Sequence, residues 1–300
     1  MASPRPSRTA LKIARFMLLL DAVPRFAGLL PVDAAAAVEG LLRASGAVRP
    51  RHIDVMRRPA TYKMYRFIEG MLGRGQLLWF GVRKRWMADC VESAIAAGAT
   101  QLLVVGAGFD SLAALVARRH PHVTCVEIDA PATAEPKRAG LQGAGLARDN
   151  LHVRAADLAH RELADVLRET PWRPDARSVV VAEGLLMYLD AASVARFFAA
   201  VHASTGPGSR LACSLMDGDA DDNPHIGALD WPIRLALRLA GEPLRWGIAP
   251  AKLPAFAASA GYRVLDQPDA AALRDRLLAP LGLRDEPLLP YEHLALLARA

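Results

Sequence analysis

Four short stretches place glycines or acids directly after apolar runs: VVGAGFD (104–110), VEID (126–129), RAAD (154–157) and VVAEG (180–184). A glycine turn lets the backbone approach a ligand where side chains would block it. Gly106 and Gly108, with Ala107 between them, supply such a turn. A dinucleotide fingerprint needs a third small residue, and Ser111 stands there instead. Asp129, Asp157 and Glu183 put carboxylates around the same place, which disfavours a pyrophosphate. A ligand without phosphate and with a positive centre fits better. S-adenosylmethionine (SAM) has that character, with its adenine, ribose, sulfonium and amino-acid tail. Asp129 can accept both ribose hydroxyls, and RKR at 83–85 offers cations for the tail's carboxylate.

These residues need strands that end where the acids begin. Apolar runs at 101–106, 123–128, 151–154, 178–182 and 209–215 alternate with helix-patterned segments at 109–119, 131–145, 159–169 and 190–203. Such β–α steps predict an α/β fold with a Rossmann-like, doubly wound and mostly parallel sheet. Ligands bind beyond the carboxyl ends of such strands, where strand order reverses, so the four stretches converge on one crevice. Segment 83–98 forms a helix before the first strand, with Gly98 as its C-cap. Further on, helices are expected at 228–240 and 251–260, strands at 262–266 and 291–299, and helical composition at 269–279. Residues 1–80 read as several helices broken by prolines 24, 31, 50 and 59.

Three hundred residues, 52% of them hydrophobic, suit one large domain or a domain with an appendage. The net charge is +6, but no Lys/Arg block with interleaved aromatics appears, so no nucleic-acid partner is expected. Cys90, Cys125 and Cys213 lie far apart without metal spacing, which points to no metal and to a reducing, cytoplasmic setting. In segment 11–31 the longest apolar run is Phe16–Leu20, too short to span a bilayer. It is expected to pack on the protein, with peripheral membrane contact or a lid as the alternatives.

VRKRWMAD (82–89), VVGAGFDS (104–111), VEIDAP (126–131) followed by KR (137–138), ADL (156–158) and AEGLLMYL (182–189) occur in one order. Together they resemble the leucine carboxyl methyltransferase family and its bacterial relatives, over roughly residues 60–265. The resemblance implies a class I SAM-dependent methyltransferase that methylates oxygen. It implies that Arg83 contacts the SAM carboxylate, that Gly106 lines the methionine tail and that Asp129 holds the ribose. It also implies Asp157 and Leu158 around the adenine and Glu183 at the methionine end. Two departures stand out. Asp110-Ser111-Leu112 replaces the Asp-Thr-Arg of many relatives, and Ala130 replaces a bulkier apolar residue.

The expected reaction is methyl transfer to a carboxylate or hydroxyl of a small, apolar acceptor. The Ala- and Arg-rich composition resembles that of bacteria in which relatives tailor secondary metabolites. A carboxylate acceptor is ionised at neutral pH and needs no base. A hydroxyl would want one, and His225 in the polar loop 216–227 is the best-placed candidate. Tyr188 is expected to face the acceptor and Met187 to pack. LLWFG (77–81), LDWPI (229–233) and LRWGI (244–248) suit a cap around an apolar ligand. Residues 1–82 are expected as a helical cap or lid, and 83–300 as the SAM-binding domain with an insertion near 216–250. A non-catalytic SAM-binding protein of this fold and an NAD(P)-dependent oxidoreductase are the competing readings; Ser111 and the acids weigh against the second.

Overall fold

The computed structural model describes residues 6–219, 221–225, 234–235, 237–238, 241–289 and 292–300. The expected helix 228–240 and the LDWPI piece therefore fall largely outside the described residues. Seven strands form one sheet: β1 Gln101–Val105, β2 Thr124–Asp129, β3 Leu151–Ala155, β4 Ser178–Ala182, β5 Arg210–Met216, β6 Tyr262–Asp266 and β7 Glu292–Arg299. Their order is β3-β2-β1-β4-β5-β7-β6. The first five are parallel, and β7 runs antiparallel between β5 and β6. Strand order reverses between β1 and β4, so their carboxyl ends open the crevice that ligands use in such sheets.

β1 and β4 are buried along their whole length because helices cover both faces. Alternate side chains divide between the two layers. Leu102, Val104, Val179 and Val181 meet the long helix before β1, whereas Leu103, Val105, Val180 and Ala182 meet Val166, Phe198 and Val201 on the opposite face.

The N-terminal helices are α1 Arg8–Asp21, α2 Ala34–Ser45, α3 Pro50–Met56, α4 Pro59–Leu72 and α5 Gln76–Ala96. Pro50 and Pro59 begin α3 and α4, positions where a missing N–H costs nothing. α5 is continuous across residues 82 and 83, so the division expected there falls inside one helix. α1 belongs to the main core: Leu18, Leu19 and Leu20 are at most 1% exposed. Phe16 and Phe26 are buried with them. Segment 11–31 therefore has no large apolar face left for peripheral membrane contact, which corrects that alternative. Among the described residues no helix is long and apolar enough to cross a membrane.

Further helices follow the strands: α6 Leu112–Arg119, α7 Pro131–Gly143, α8 Leu163–Arg168, α9 Ala191–Ala203 and α10 Leu253–Ser259, and a helical stretch over residues 270–281 follows β6, where helical composition was expected. α2 lies directly against α7. A Cβ on Gly140 of α7 would stand 2.6 Å from the Leu41 carbonyl oxygen and 2.9 Å from Ser45 Cβ. The glycine is what lets the two backbones come this close. Gly140→Ala should therefore lower stability by about 1–3 kcal/mol, read as an earlier urea midpoint. An unchanged midpoint would show that α2 does not pack here.

Candidate active site

The loop after β1 is held from two sides. Gly106 and Gly108 sit at φ of 71° and 51°, the left-handed region in which glycine is at ease. A Cβ on Gly106 would also press on the Leu185 side chain at 3.1 Å. Gly108 N–H donates to Asp129 Oδ2 at 2.7 Å, and Ala130 N–H donates to Oδ1 at 2.7 Å. Behind the loop, Lys137 Nζ donates to the Ala107 carbonyl at 3.3 Å and pairs with Glu127 at 2.7 Å. Both side chains are only 1% exposed. Burial pushes the Glu127 carboxyl above its ordinary range, against the pull of Lys137. Burial likewise raises Asp129, while the Gly108 and Ala130 N–H groups oppose the shift. Ser111, where a third glycine was absent, is fully buried and donates its hydroxyl to the Ala34 carbonyl at 3.3 Å.

Next to the loop, charges from four elements meet. Arg83 of α5 donates from Nε to Glu183 at 2.8 Å and from Nη1 to Glu292 of β7 at 2.5 Å. Its neighbour Lys84 donates to Asp110 at 2.7 Å and to Glu183 at 3.0 Å. Burial works against the Asp110 charge, but Lys84 outweighs it and holds the carboxyl below its ordinary range. Asp110 thus finds its cation on α5, not at position 112, where Leu112 is buried. Arg83 keeps N–H groups beyond the two already bonded, and Glu292 Oε2 is buried without a hydrogen-bond partner among the described residues.

A cavity of about 480 Å³ joins these parts. Gly106, Asp129, Arg83 and Glu183 line it. Trp79, Phe80, Met187, Met216 and Leu244 add apolar walls. Trp79 Nε1 is buried there without a hydrogen-bond partner among the described residues. The first turn of α1 and the segment around Glu242 close the side. Glu242 accepts from Ser7 Oγ at 2.7 Å, Arg8 N–H at 3.1 Å, Thr9 N–H at 3.2 Å and the Thr9 hydroxyl. A carboxylate is well placed at a helix N-terminus, where unpaired N–H groups carry partial positive charge. The Tyr188 hydroxyl lies near Thr9, and burial pushes its pKa up to about 12.

Arg83, Gly106, Ala107, Gly108, Asp129, Glu183 and Tyr188 are therefore brought together on one cavity. Asp157, Leu158 and His225 are not among its lining residues. Asp157 Oδ1 accepts from Ala159 N–H at 3.0 Å, and its carbonyl accepts from His160 and Arg161, so it organises the turn after β3. Leu158 packs half-buried on the second core layer. His225 is exposed, with its backbone N–H bound to the Asp217 carbonyl at 2.8 Å. Its expected place beside an acceptor is corrected. Trp246 is core packing. Sequence reasoning missed Glu292, Glu242 and the roles of Lys84 and Lys137. Lys84 and Lys137 lay inside motifs already singled out, whereas nothing local marked Glu242 or Glu292. Among the described residues no group of His, Cys, Asp and Glu could hold a metal ion, and all three cysteines are buried and free.

The family model described as leucine carboxyl methyltransferase matches residues 44–202, more than half of the chain. The chain belongs to that family. A Mycolicibacterium gilvum protein named "Putative S-adenosyl-L-methionine-dependent methyltransferase" is 31% identical over 170 residues, covering 56% of this chain and 52% of the relative. A Mycolicibacterium vanbaalenii protein of the same name is 31% identical over 180 residues, covering 56% of each. The match thus spans about half the length of these relatives. An O-methyltransferase family protein from Burkholderia thailandensis shares the fold at TM-score 0.50 and 18% identity, over 88% of this chain and 70% of that one.

Removing one partner of a buried ion pair leaves the other charge stranded. Lys137→Met should cost about 3–5 kcal/mol of unfolding free energy. Adding Glu127→Gln should restore much of that loss in denaturant titrations. A single variant as stable as the parent would mean that the pair does not hold the glycine loop.

Proposed function

We propose that this protein transfers a methyl group from SAM to an oxygen of a small, apolar acceptor. One observation carries the reading: a single cavity is lined by the glycine turn and Asp129, by Arg83 and Glu183, and by apolar side chains together with Tyr188. Its volume lies within the usual range for small-molecule sites. The mycolicibacterial relatives' names support SAM as the methyl source.

The residues fit such a cofactor. Gly106 lines the cavity with backbone alone. Each Asp129 oxygen holds one N–H and retains lone-pair capacity for a ribose hydroxyl. Arg83 would take the tail carboxylate with its remaining N–H groups. Glu183 and the unpartnered Glu292 oxygen would face the ammonium. Asp157 and Leu158, expected around adenine, stand off the cavity and would have to act from its rim. Bound there, SAM supplies an electrophilic methyl group for in-line displacement.

The chain's own contribution is then positioning and exclusion of water. α1 and the Glu242 segment form the acceptor cap, the role expected of the N-terminal region. Tyr188 keeps its proton at neutral pH, so its hydroxyl can donate to an acceptor oxygen. With His225 outside the cavity, a carboxylate acceptor, which needs no base, is favoured over a hydroxyl.

Calorimetry with SAM tests the cofactor. Asp129→Ala should weaken binding by about 1.5–3 kcal/mol, the worth of hydrogen bonds to a charged group. Because burial raises the Asp129 carboxyl, affinity should begin to fall on acidification above the ordinary aspartate range near ~3.9. Tight NAD binding with none of SAM would overturn the reading. A mass-spectrometric screen of apolar acids and phenols with SAM tests the acceptor. Acids should gain a methyl group, and Tyr188→Phe should slow their turnover about tenfold with SAM affinity unchanged. Turnover of phenols alone would reverse the preference.

A further inference from the structure

The hairpin of α3 and α4 wears an apolar stripe on its outside. Four of the seven exposed large apolar side chains among the described residues fall here: Val55, Met64, Phe67 and Ile68. Phe67 is 71% exposed and Met64 57%. Met64, Phe67 and Ile68 follow the i, i+3, i+4 spacing of one helix face. The opposite face of α4 is anchored: Tyr62 meets Phe26 edge-on, Tyr65 meets Phe16, and Glu69 is buried, accepting from Leu77 N–H at 2.8 Å.

The stripe is set in positive charge. Residues 49–74 hold seven Lys/Arg against two acids, a surplus of five in a chain whose whole surplus is six. Both acids are already engaged, Glu69 inside and Asp54 with Arg43 at 2.6 Å. Arg57 is tied to Asp21 and Glu39. Arg49, Arg51, Arg58, Lys63 and Arg74 are exposed, with no carboxylate partner among the described residues. An exposed apolar stripe on a helix, flanked by cations, has the pattern of helices that lie in a bilayer interface.

We propose that this hairpin docks the protein on an anionic lipid surface, with Phe67 and Met64 inserted at the headgroup boundary. Charge decides against a second copy of this chain. A two-fold contact sets the same patch against itself, and here that would oppose one excess of five positive charges with another. A convex helix needs a yielding surface, which lipid provides. The position also suits the cavity: Tyr65 packs on Phe16, and Phe16 on Phe80 at 5.7 Å, which is a cavity wall. The cavity therefore lies a short aromatic path from the docking face. The proposal does not rest on the methyl-transfer reading.

Sedimentation of the full chain with vesicles of equal parts phosphatidylglycerol and phosphatidylcholine tests it. The parent protein should pellet with these vesicles at low salt and less so at high salt, and should stay in solution with phosphatidylcholine alone. A Met64→Glu, Phe67→Glu double variant should lose about tenfold or more in vesicle affinity. Both sites are exposed, so its thermal melting should match the parent. Three results would overturn the proposal. The parent could fail to pellet with anionic vesicles at low salt, or the folded variant could bind as well as the parent. The third is that the face mediates concentration-dependent self-association or binds an acidic protein without binding vesicles.

Discussion

Five ionised side chains sharing one buried place set the terms for the rest of the structure. Arg83 and Lys84 come from one helix, Asp110 from the loop after β1, Glu183 from the end of β4 and Glu292 from β7. Taking any of these charges out of water is costly unless it is paired and hydrogen-bonded. The pairing works only if α5 lies across the carboxyl ends of β1 and β4 and β7 enters beside β5. The sheet order and the helix position are thus conditions for the charges, not merely a frame around them. Phe80 adds a ring 5.1 Å from the Arg83 guanidinium, which further fixes its direction.

The glycine loop meets a related demand with fewer parts. Asp129 draws the Gly108 N–H forward while Lys137 draws the Ala107 carbonyl back. Two residues of β2, Glu127 and Asp129, therefore govern the loop of β1 from the same side of the sheet. That is why strand alternation matters here: positions two apart on a strand face the same way. The loop is shaped before any ligand arrives, as a preorganised site requires.

Much of this was legible in the sequence. β1 to β5 lie within a residue or two of their apolar runs, because strands buried on both faces read as continuous hydrophobic stretches. Gly106, Asp129 and Glu183 follow from the rule that ligands meet strand ends. Asp157 obeyed the same rule in sequence, yet its carboxylate turns to the backbone of its own turn, a competition that strand-end position cannot resolve. The apolar spacing of α1 gave a helix but not what that helix covers, so Leu18 to Leu20 could be assigned to the core only with the sheet in view. Glu242 and Glu292 stayed hidden because their partners are remote in the chain, and no local pattern records such a pairing.

The bond between Arg83 and Glu292 joins positions 209 residues apart. Contacts so distant in sequence form late, after the intervening chain has been ordered. During synthesis Arg83 and Glu183 both leave the ribosome well before Glu292, so for that interval the guanidinium has only part of its counter-charge. Water must supply the rest, and the crevice must stay wet. β7 supplies the missing carboxylate as it fills the gap between β5 and β6. The last carboxylate of the cluster is therefore supplied by the same strand that joins β5 to β6 in one sheet.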